Sequence, residues 1–488
     1  GTPPAGLEPV IFIAGIAGSQ LKLPDEYLWP VYLDGPKLKM TLKPDKQVKG
    51  IYTDDVVRTY DAFNIPVIPL FHNPVYGPII NRLSGAGYRE YDTSYANQTG
   101  KDPNKRRLAG CDTSQTDAML FVFPWDWRFG VTDAVSPTLS MSPNNVDLLA
   151  EYIGCIQKIH PDKKVNIVAH SMGGLLARNY ILSHPSTHNV HRLISIVTPW
   201  LGAPKAVSMM LTGDFDPRII KLDTTRTLLE YFPGAHQLLP SKQYYELLTS
   251  SDEYPLVALE GGLFNLEQHV NVAYSDFDKY LHSLYVSPAE GENYVSSVAF
   301  MGNNEKLYND PKFADWNGDQ SGVEYHVLTG KTTIDDTVYR VVKMANITWY
   351  GDLHFRYEKR LTKGDKTVPE KSQTRLGNGK NLNGQVKSLH QFVARKDESV
   401  KHEDMPSNIR VQDCILAILQ KTSSCDSDEV TAAASTTQPV RYQRIWGVQS
   451  LQITDGISTT ANLMTSTLSL NIFPNITLDY LGDDSVLL

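Results

Sequence analysis

The sequence predicts an α/β fold: a mainly parallel central sheet under helices, an inserted cap or lid, and a small β-rich appendage at the C-terminal end. Three observations predict it. Short apolar runs that do not alternate with polar residues (Val10–Ile13, Ala118–Phe123, Val165–Val168, Leu193–Val197) recur between helix-period segments. Such runs suit parallel strands buried on both faces. The stretch KKVNIVAHSMGGLLARNY, residues 163–180, reads as strand, tight turn and helix. From about 205 to 320 the pattern breaks into short aromatic-rich pieces, which reads as an insertion above the strand ends.

The elements follow in order. Val10–Ile13 is the first strand, and the glycine-rich turn Ala14–Ser19 follows it. Residues 22–75 are rich in Pro, Tyr, Trp and Lys without a period and read as an excursion over the core, a candidate lid. Ile79, Ile80 and Leu83 give helical spacing within 75–87. Ala118–Phe123 is a strand that runs into Trp125-Asp126-Trp127-Arg128. Residues 145–160 carry Leu148, Leu149, Tyr152, Ile153, Ile156 and Ile159 on one face, an amphipathic helix. After the central strand-turn-helix comes the strand 193–197, closed by Thr198-Pro199-Trp200. Strand signals resume at 324–328 and 338–342, and Gln391–Ala394 is a last core strand. Val411, Ile415, Ile418 and Leu419 mark a final helix. The organisation expected is a first core part (1–204), a cap (205–320), a second core part (321–425), and a linker with a β-rich appendage (426–488). Thr431–Gln438 looks like linker, and the alternating 465–481 looks like a hairpin or edge strands.

Composition excludes several classes. A net charge of −8 with no basic block argues against nucleic acid as partner. No run of 18 apolar residues is present, so no membrane span is expected. The opening GTPPAGLEPV is neither a signal nor a transit peptide, and secretion is the slightly favoured compartment. The four cysteines, Cys111, Cys155, Cys414 and Cys425, form no CxxC and no zinc-spaced cluster. No metal and no cofactor is expected. Cys155 reads as a small core residue, and Cys414 with Cys425 could close a local disulfide.

The chemistry centres on Ser171. Ala169 and Gly173, two residues before and two after it, are small enough for strand and helix to approach closely, as a nucleophile elbow requires. The helix start adds unpaired N–H groups and a positive dipole end, suited to an oxyanion. A serine hydroxyl needs a base, and the base needs a third group to hold its tautomer. In the order of the α/β-hydrolase fold these follow as Ser, acid, His. His402, in a loop after the last core strand, is favoured as base over His390, which lies at a strand. Asp365, in the tight loop Gly364–Pro369, is favoured as acid over Asp352. The turn after the first strand can lend a backbone N–H to an oxyanion hole.

Six stretches in order resemble the lecithin:cholesterol acyltransferase-like lipases, a family that includes lysosomal phospholipase A2. They are PVIFIAGIAGSQL (9–21), PVYGPIINRLSGAGYRE with WDWR (74–90, 125–128), NIVAHSMGG (166–174), LISIVTPWLGAP (193–204), GDKTVP (364–369) and HEDM (402–405). The resemblance implies Ser171 as nucleophile, Asp365 as acid, His402 as base, and the N–H groups of Ile16 and Met172 as oxyanion hole. Members often carry aspartate at the Ile16 position, and the backbone does the work there. The function expected is a cofactor-independent serine esterase acting on lipid acyl esters at a membrane or micelle surface, by hydrolysis or by transacylation. The alternatives are a non-catalytic binding protein of the same fold and an esterase for non-lipid esters.

Overall fold

The computed structural model describes residues 6–31, 34–61, 72–93, 111–132, 144–213, 222–249, 254–259, 269–284, 298–314, 316, 319–347, 353–374, 386–422 and 425–432. It also describes the short segments 444–445, 450–454, 460–464, 479–480 and 486–487. Seven strands make the central sheet: β1 (Val10–Ile13), β2 (Leu120–Phe123), β3 (Val165–His170), β4 (Val190–Ile196), β5 (Glu324–Lys331), β6 (Val386–Val393) and β7 (Glu429–Ala432). Their order is β2-β1-β3-β4-β5-β6-β7. All neighbours are parallel except β6 and β7.

Every residue of β1, β2 and β3 is buried, because the sheet is covered on both faces. Side chains of β1 alternate between the two cores. Ile11 and Ile13 join one core, shared with α2 (Asn145–Ile159) and α3 (Met172–Ser183). Val10 and Phe12 join the other, shared with α1 (Gly77–Gly85) and α4 (Ile409–Gln420). Fully burying one such side chain contributes about 1.5–3 kcal/mol. Asn144 caps α2 by accepting from the Val146 and Asp147 N–H, and Asn408 caps α4 by accepting from Val411.

Strand order reverses at β1, whose two partners β2 and β3 are reached in opposite directions. In doubly wound sheets that reversal opens a crevice at the carboxyl ends of the strands. Here it lies between the turn after β1 and the turn after β3.

The structure departs from the sequence reading in several places. Cys155 lies in the core as read, but its sulfur is bonded to Cys111; the local disulfide open to Cys414 and Cys425 is formed. Residues 338–342 do form a strand, but outside the central sheet. Strand Thr337–Ile347 pairs with Leu353–Thr362 and with Leu256–Leu259, which pairs in turn with His269–Asn271. The second sheet thus joins the 205–320 stretch to a later hairpin. Thr431 and Ala432, read as linker, end β7; 433–438 lie outside the described residues, as do Asp352 and 465–478. In the excursion after β1, Leu28, Trp29, Met40 and Leu42 are buried in the core. In the C-terminal appendage Ser450–Thr454 pairs with Thr460–Met464, and Asp479–Tyr480 with Val486–Leu487. Among the described residues no helix is long and apolar enough to cross a membrane.

Buried neutral histidines tie stability to pH. His236 is fully buried; its Nε2 contacts the Leu229 and Glu230 carbonyls and its Nδ1 contacts Asn303 Nδ2. Burial lowers its pKa to about 4, and does the same for His326. Each folded value is depressed, so above about pH 6.5 both states are neutral and pH has no effect through these groups. As pH falls from about 6.5 toward 4, only the unfolded chain takes up the protons and stability is lost. The loss is expected to be on the order of 2–3 kcal/mol per histidine, read as a falling urea midpoint between about pH 7 and pH 5. A flat midpoint across that window would contradict it.

Candidate active site

Ser171 sits where β3 turns into α3, with φ 54° and ψ −129°. A non-glycine residue there costs about 1–3 kcal/mol, and the surroundings hold it. Its N–H donates to the Ile196 carbonyl at 2.8 Å, and Gly174 N–H donates back to the Ser171 carbonyl at 3.0 Å. Ser171 occupies the N-cap position of α3, yet its hydroxyl makes no cap bond. That forgoes about 1 kcal/mol and leaves the hydroxyl for another partner.

The close approach that the elbow needs is visible at two glycines. A Cβ on Gly173 would stand 2.6 Å from the Ala14 carbonyl oxygen, and one on Gly15 would stand 2.7 Å from Ser171 Cβ. Neither position accepts a side chain without moving backbone.

The partner of the hydroxyl is His402. Ser171 Oγ lies 2.8 Å from His402 Nε2, and His402 Nδ1 lies 2.7 Å from Asp365 Oδ2. Asp365 Oδ1 accepts from the Thr367 and Val368 N–H at 2.9 and 2.6 Å, which shapes the 363–369 loop around the carboxylate. The His402 N–H donates to the Asp365 carbonyl at 2.8 Å, so the two loops are also joined through backbone. Asp365 has no solvent exposure, whereas Ser171 and His402 keep 5% and 9%, so only the reacting end faces out. The loop carrying His402 is braced from behind by Glu398, which accepts from Asn408 Nδ2 and Arg410 Nε.

Ser171, His402, Asp365, Ile16 and Met172 are thus brought to one crevice, while His390 is not. His390 lies on β6, where its ring nitrogens contact Ser427 Oγ and Ser388 Oγ, and burial holds its pKa below the usual range. Ile16 lies in the turn after β1, and Met172 is the first residue of α3, directly after Ser171. Among the described residues neither backbone N–H is taken by an acceptor.

The turn Ala14–Ser19 is held by groups that the sequence reading did not assign. Trp125, Trp29 and Trp127 donate indole N–H bonds to the carbonyls of Ala14 (2.9 Å), Ala17 (2.7 Å) and Ser19 (3.1 Å). Asp126 and Arg128 form a buried ion pair behind them, and Arg128 Nη1 donates to the Met40 carbonyl. The WDWR stretch therefore serves as a clamp on this turn. With its carbonyls pinned outward, the turn can present N–H groups to the crevice.

Among the described residues the grouping with metal-ligand proximity is His390 with Cys414 and Cys425, and both sulfurs are spent on their disulfide.

A parallel sheet with an elbow serine at its reversal point, facing His and Asp from later loops, defines an α/β-hydrolase. A chain in the crystal structure of the Tle4-Tli4 complex shares the fold: TM-score 0.50, 14% identity, 85% of this chain and 98% of that one covered. The mature lipase BlEst2 of Bacillus licheniformis aligns over 86% of this chain and 94% of its own at 12% identity, with a TM-score of 0.28. Residues 114–310 match the family model described as lecithin:cholesterol acyltransferase. Phospholipase A(1) LCAT3 of Arabidopsis thaliana is 25% identical over 218 residues, 42% of this chain and 38% of that protein. The match spans less than half of that relative's length. Over these stretches the chain is similar to the lecithin:cholesterol acyltransferase family, and the fold that carries the similarity is that of the α/β-hydrolases.

Proposed function

We propose that this protein is a serine esterase that cleaves lipid acyl esters through an acyl-enzyme on Ser171. The observation that carries the reading is the continuous contact from Ser171 Oγ through the His402 ring to Asp365. Asp365 accepts a hydrogen bond from Nδ1–H, so Nε2 is left as the acceptor for the serine proton. As Oγ attacks the ester carbonyl, His402 takes that proton and Asp365 stabilises the imidazolium. The Ile16 and Met172 N–H groups receive the oxyanion; one such donor is worth about 10²–10³ in rate. His402 then gives its proton to the leaving alcohol. Water activated by the same ring completes hydrolysis, or a lipid alcohol completes transacylation.

The lipid class rests on the family match, and phospholipids are the first substrate proposed, with neutral glycerides second. The substrate is met at a membrane or micelle surface. The two disulfides support an oxidising compartment.

The test is product analysis by mass spectrometry, with mixed vesicles of phosphatidylcholine and diacylglycerol and Ser171→Ala as control. Free fatty acid with lysophospholipid is the expected result. Triacylglycerol with lysophospholipid would assign a transacylase, and fatty acid from the glyceride alone a lipase. Identical products from wild type and Ser171→Ala would overturn the proposal.

A further inference from the structure

Two side chains that acyl transfer leaves without a role belong to one buried chain of hydrogen bonds. Tyr76 stands at the N-terminal end of α1, and His170 is the last residue of β3. The Gly15 N–H donates to Tyr76 Oη at 3.2 Å, Tyr76 Oη lies 2.8 Å from His170 Nδ1, and His170 Nε2 lies 2.9 Å from the His402 carbonyl oxygen. A carbonyl only accepts, so Nε2 carries the proton and Nδ1 is the acceptor. Tyr76 therefore donates its hydroxyl proton to His170 and accepts from Gly15. Every direction in the chain is determined, and each member has one partner on either side.

The ends of this chain are the two parts of the site that must be held in register. At one end Gly15 immediately precedes Ile16 and presses against Ser171. With its N–H bonded to Tyr76 and its carbonyl accepting from Gly18, both peptide planes flanking Gly15 are held. At the other end is the backbone of His402 itself. Its N–H is held by the Asp365 carbonyl and its C=O by His170, so the base is gripped on both sides of its Cα. Tyr76 and His170 are almost wholly buried, and the rings pack edge to face at 5.5 Å. Burial, reinforced by the neighbouring His402, holds the His170 pKa well below the usual histidine range, so the ring stays neutral and keeps its tautomer.

We propose that Tyr76 and His170 are positioning residues that hold the oxyanion turn and the general base in register across the elbow. The inference rests on the serine-esterase reading above. Neither side chain touches substrate in this account. Each acts through the backbone of a group that does, and displacement of a reacting group by about 1 Å can cost about 100-fold.

The test is the rate at which a fluorophosphonate probe modifies the full-length protein, with turnover of a water-soluble monomeric ester measured alongside. Tyr76→Phe keeps the ring contact with Phe12 and removes only the hydroxyl. It is expected to slow labelling and kcat about 10- to 100-fold per folded molecule, with KM unchanged. His170→Gln, which can still offer an amide N–H to the His402 carbonyl, is expected to retain more activity than His170→Ala. A purely structural network would lower the thermal midpoint and leave kcat per folded molecule where it was. Tyr76→Phe labelled at the wild-type rate, or His170→Ala as fast as His170→Gln, would overturn the inference alone. A wild-type protein that does not label at all would remove the serine-esterase reading and this inference with it.

Discussion

His402→Ala is expected to lower ester turnover by about 10⁴-fold, while His390→Ala leaves it within about twofold of wild type. The two histidines are the late candidates in the chain, and their surroundings separate them. His402 joins Ser171 to Asp365 through its two ring nitrogens, at 2.8 and 2.7 Å. His390 spends its ring on the hydroxyls of Ser388, on β6, and Ser427, just before β7, beside the Cys414–Cys425 disulfide. Removing the first leaves the serine proton without an acceptor, and only binding and the oxyanion donors remain. Removing the second trims a packed strand residue. Asp365→Asn is expected to cost nearly as much as His402→Ala, about 10⁴-fold, because the ring loses the acceptor that fixes its tautomer. Rates on a monomeric ester, normalised to folded protein, decide between the histidines. If His390→Ala carries the large loss, the assignment of the base is wrong.

Asp319→Ala is expected to destabilise the fold by about 3–5 kcal/mol, the largest stability effect expected of a single substitution here. Arg178, on the elbow helix α3, is fully buried and pairs with Asp319 Oδ2 at 2.7 Å. Its guanidinium also donates to the Phe313 carbonyl and lies 3.5 Å above the Trp316 ring, while Tyr325 donates to the same Asp319 oxygen. Burial acts to raise the Asp319 pKa, but Arg178 and the Ser321 contacts override it and the net shift is downward. Because the folded value is depressed, this contribution is present at neutral pH and fades as pH falls below about 3.9. Removing the carboxylate strands a cation away from water. Removing both partners costs less than the two single changes combined, because no lone charge remains. A double-mutant cycle on urea midpoints checks this. Additive losses would show that the pair is not coupled. The cluster also bears on the site, since it fastens the helix that begins at Met172 to the segment leading into β5.

The parts of the fold read most directly from sequence are those whose signal is local. Val10–Ile13 and Val165–Val168 are short, apolar and rich in β-branched residues because both their faces are covered, and the 145–160 helix shows its buried face as a period. The elbow was legible because closeness demands small residues at two set positions around Ser171. What escaped depends on distance. Cys111 meets Cys155 across a separation of 44 residues, and nothing around either cysteine names its partner. The second sheet is assembled from strands on both sides of β5, so a linear reading placed 338–342 with the core. β7 is only four residues long and runs into Ser, Thr and Ala, a composition that reads as linker. WDWR was noticed as a motif, but its role as indole donors to the Ala14–Ser19 turn exists only once that turn is folded beside it. His170 adjoins Ser171 in sequence, but what its ring meets, Tyr76 and the His402 carbonyl, has no sequence signature.

The central claim is that Ser171 is a nucleophile activated by His402 and Asp365. It is tested most directly by treating the full-length protein with a fluorophosphonate and locating the adduct by peptide mass spectrometry. One adduct per chain on the peptide containing Ser171, absent in Ser171→Ala and lost in His402→Ala, is the predicted result. An adduct elsewhere, or none on protein shown to be folded, would contradict it.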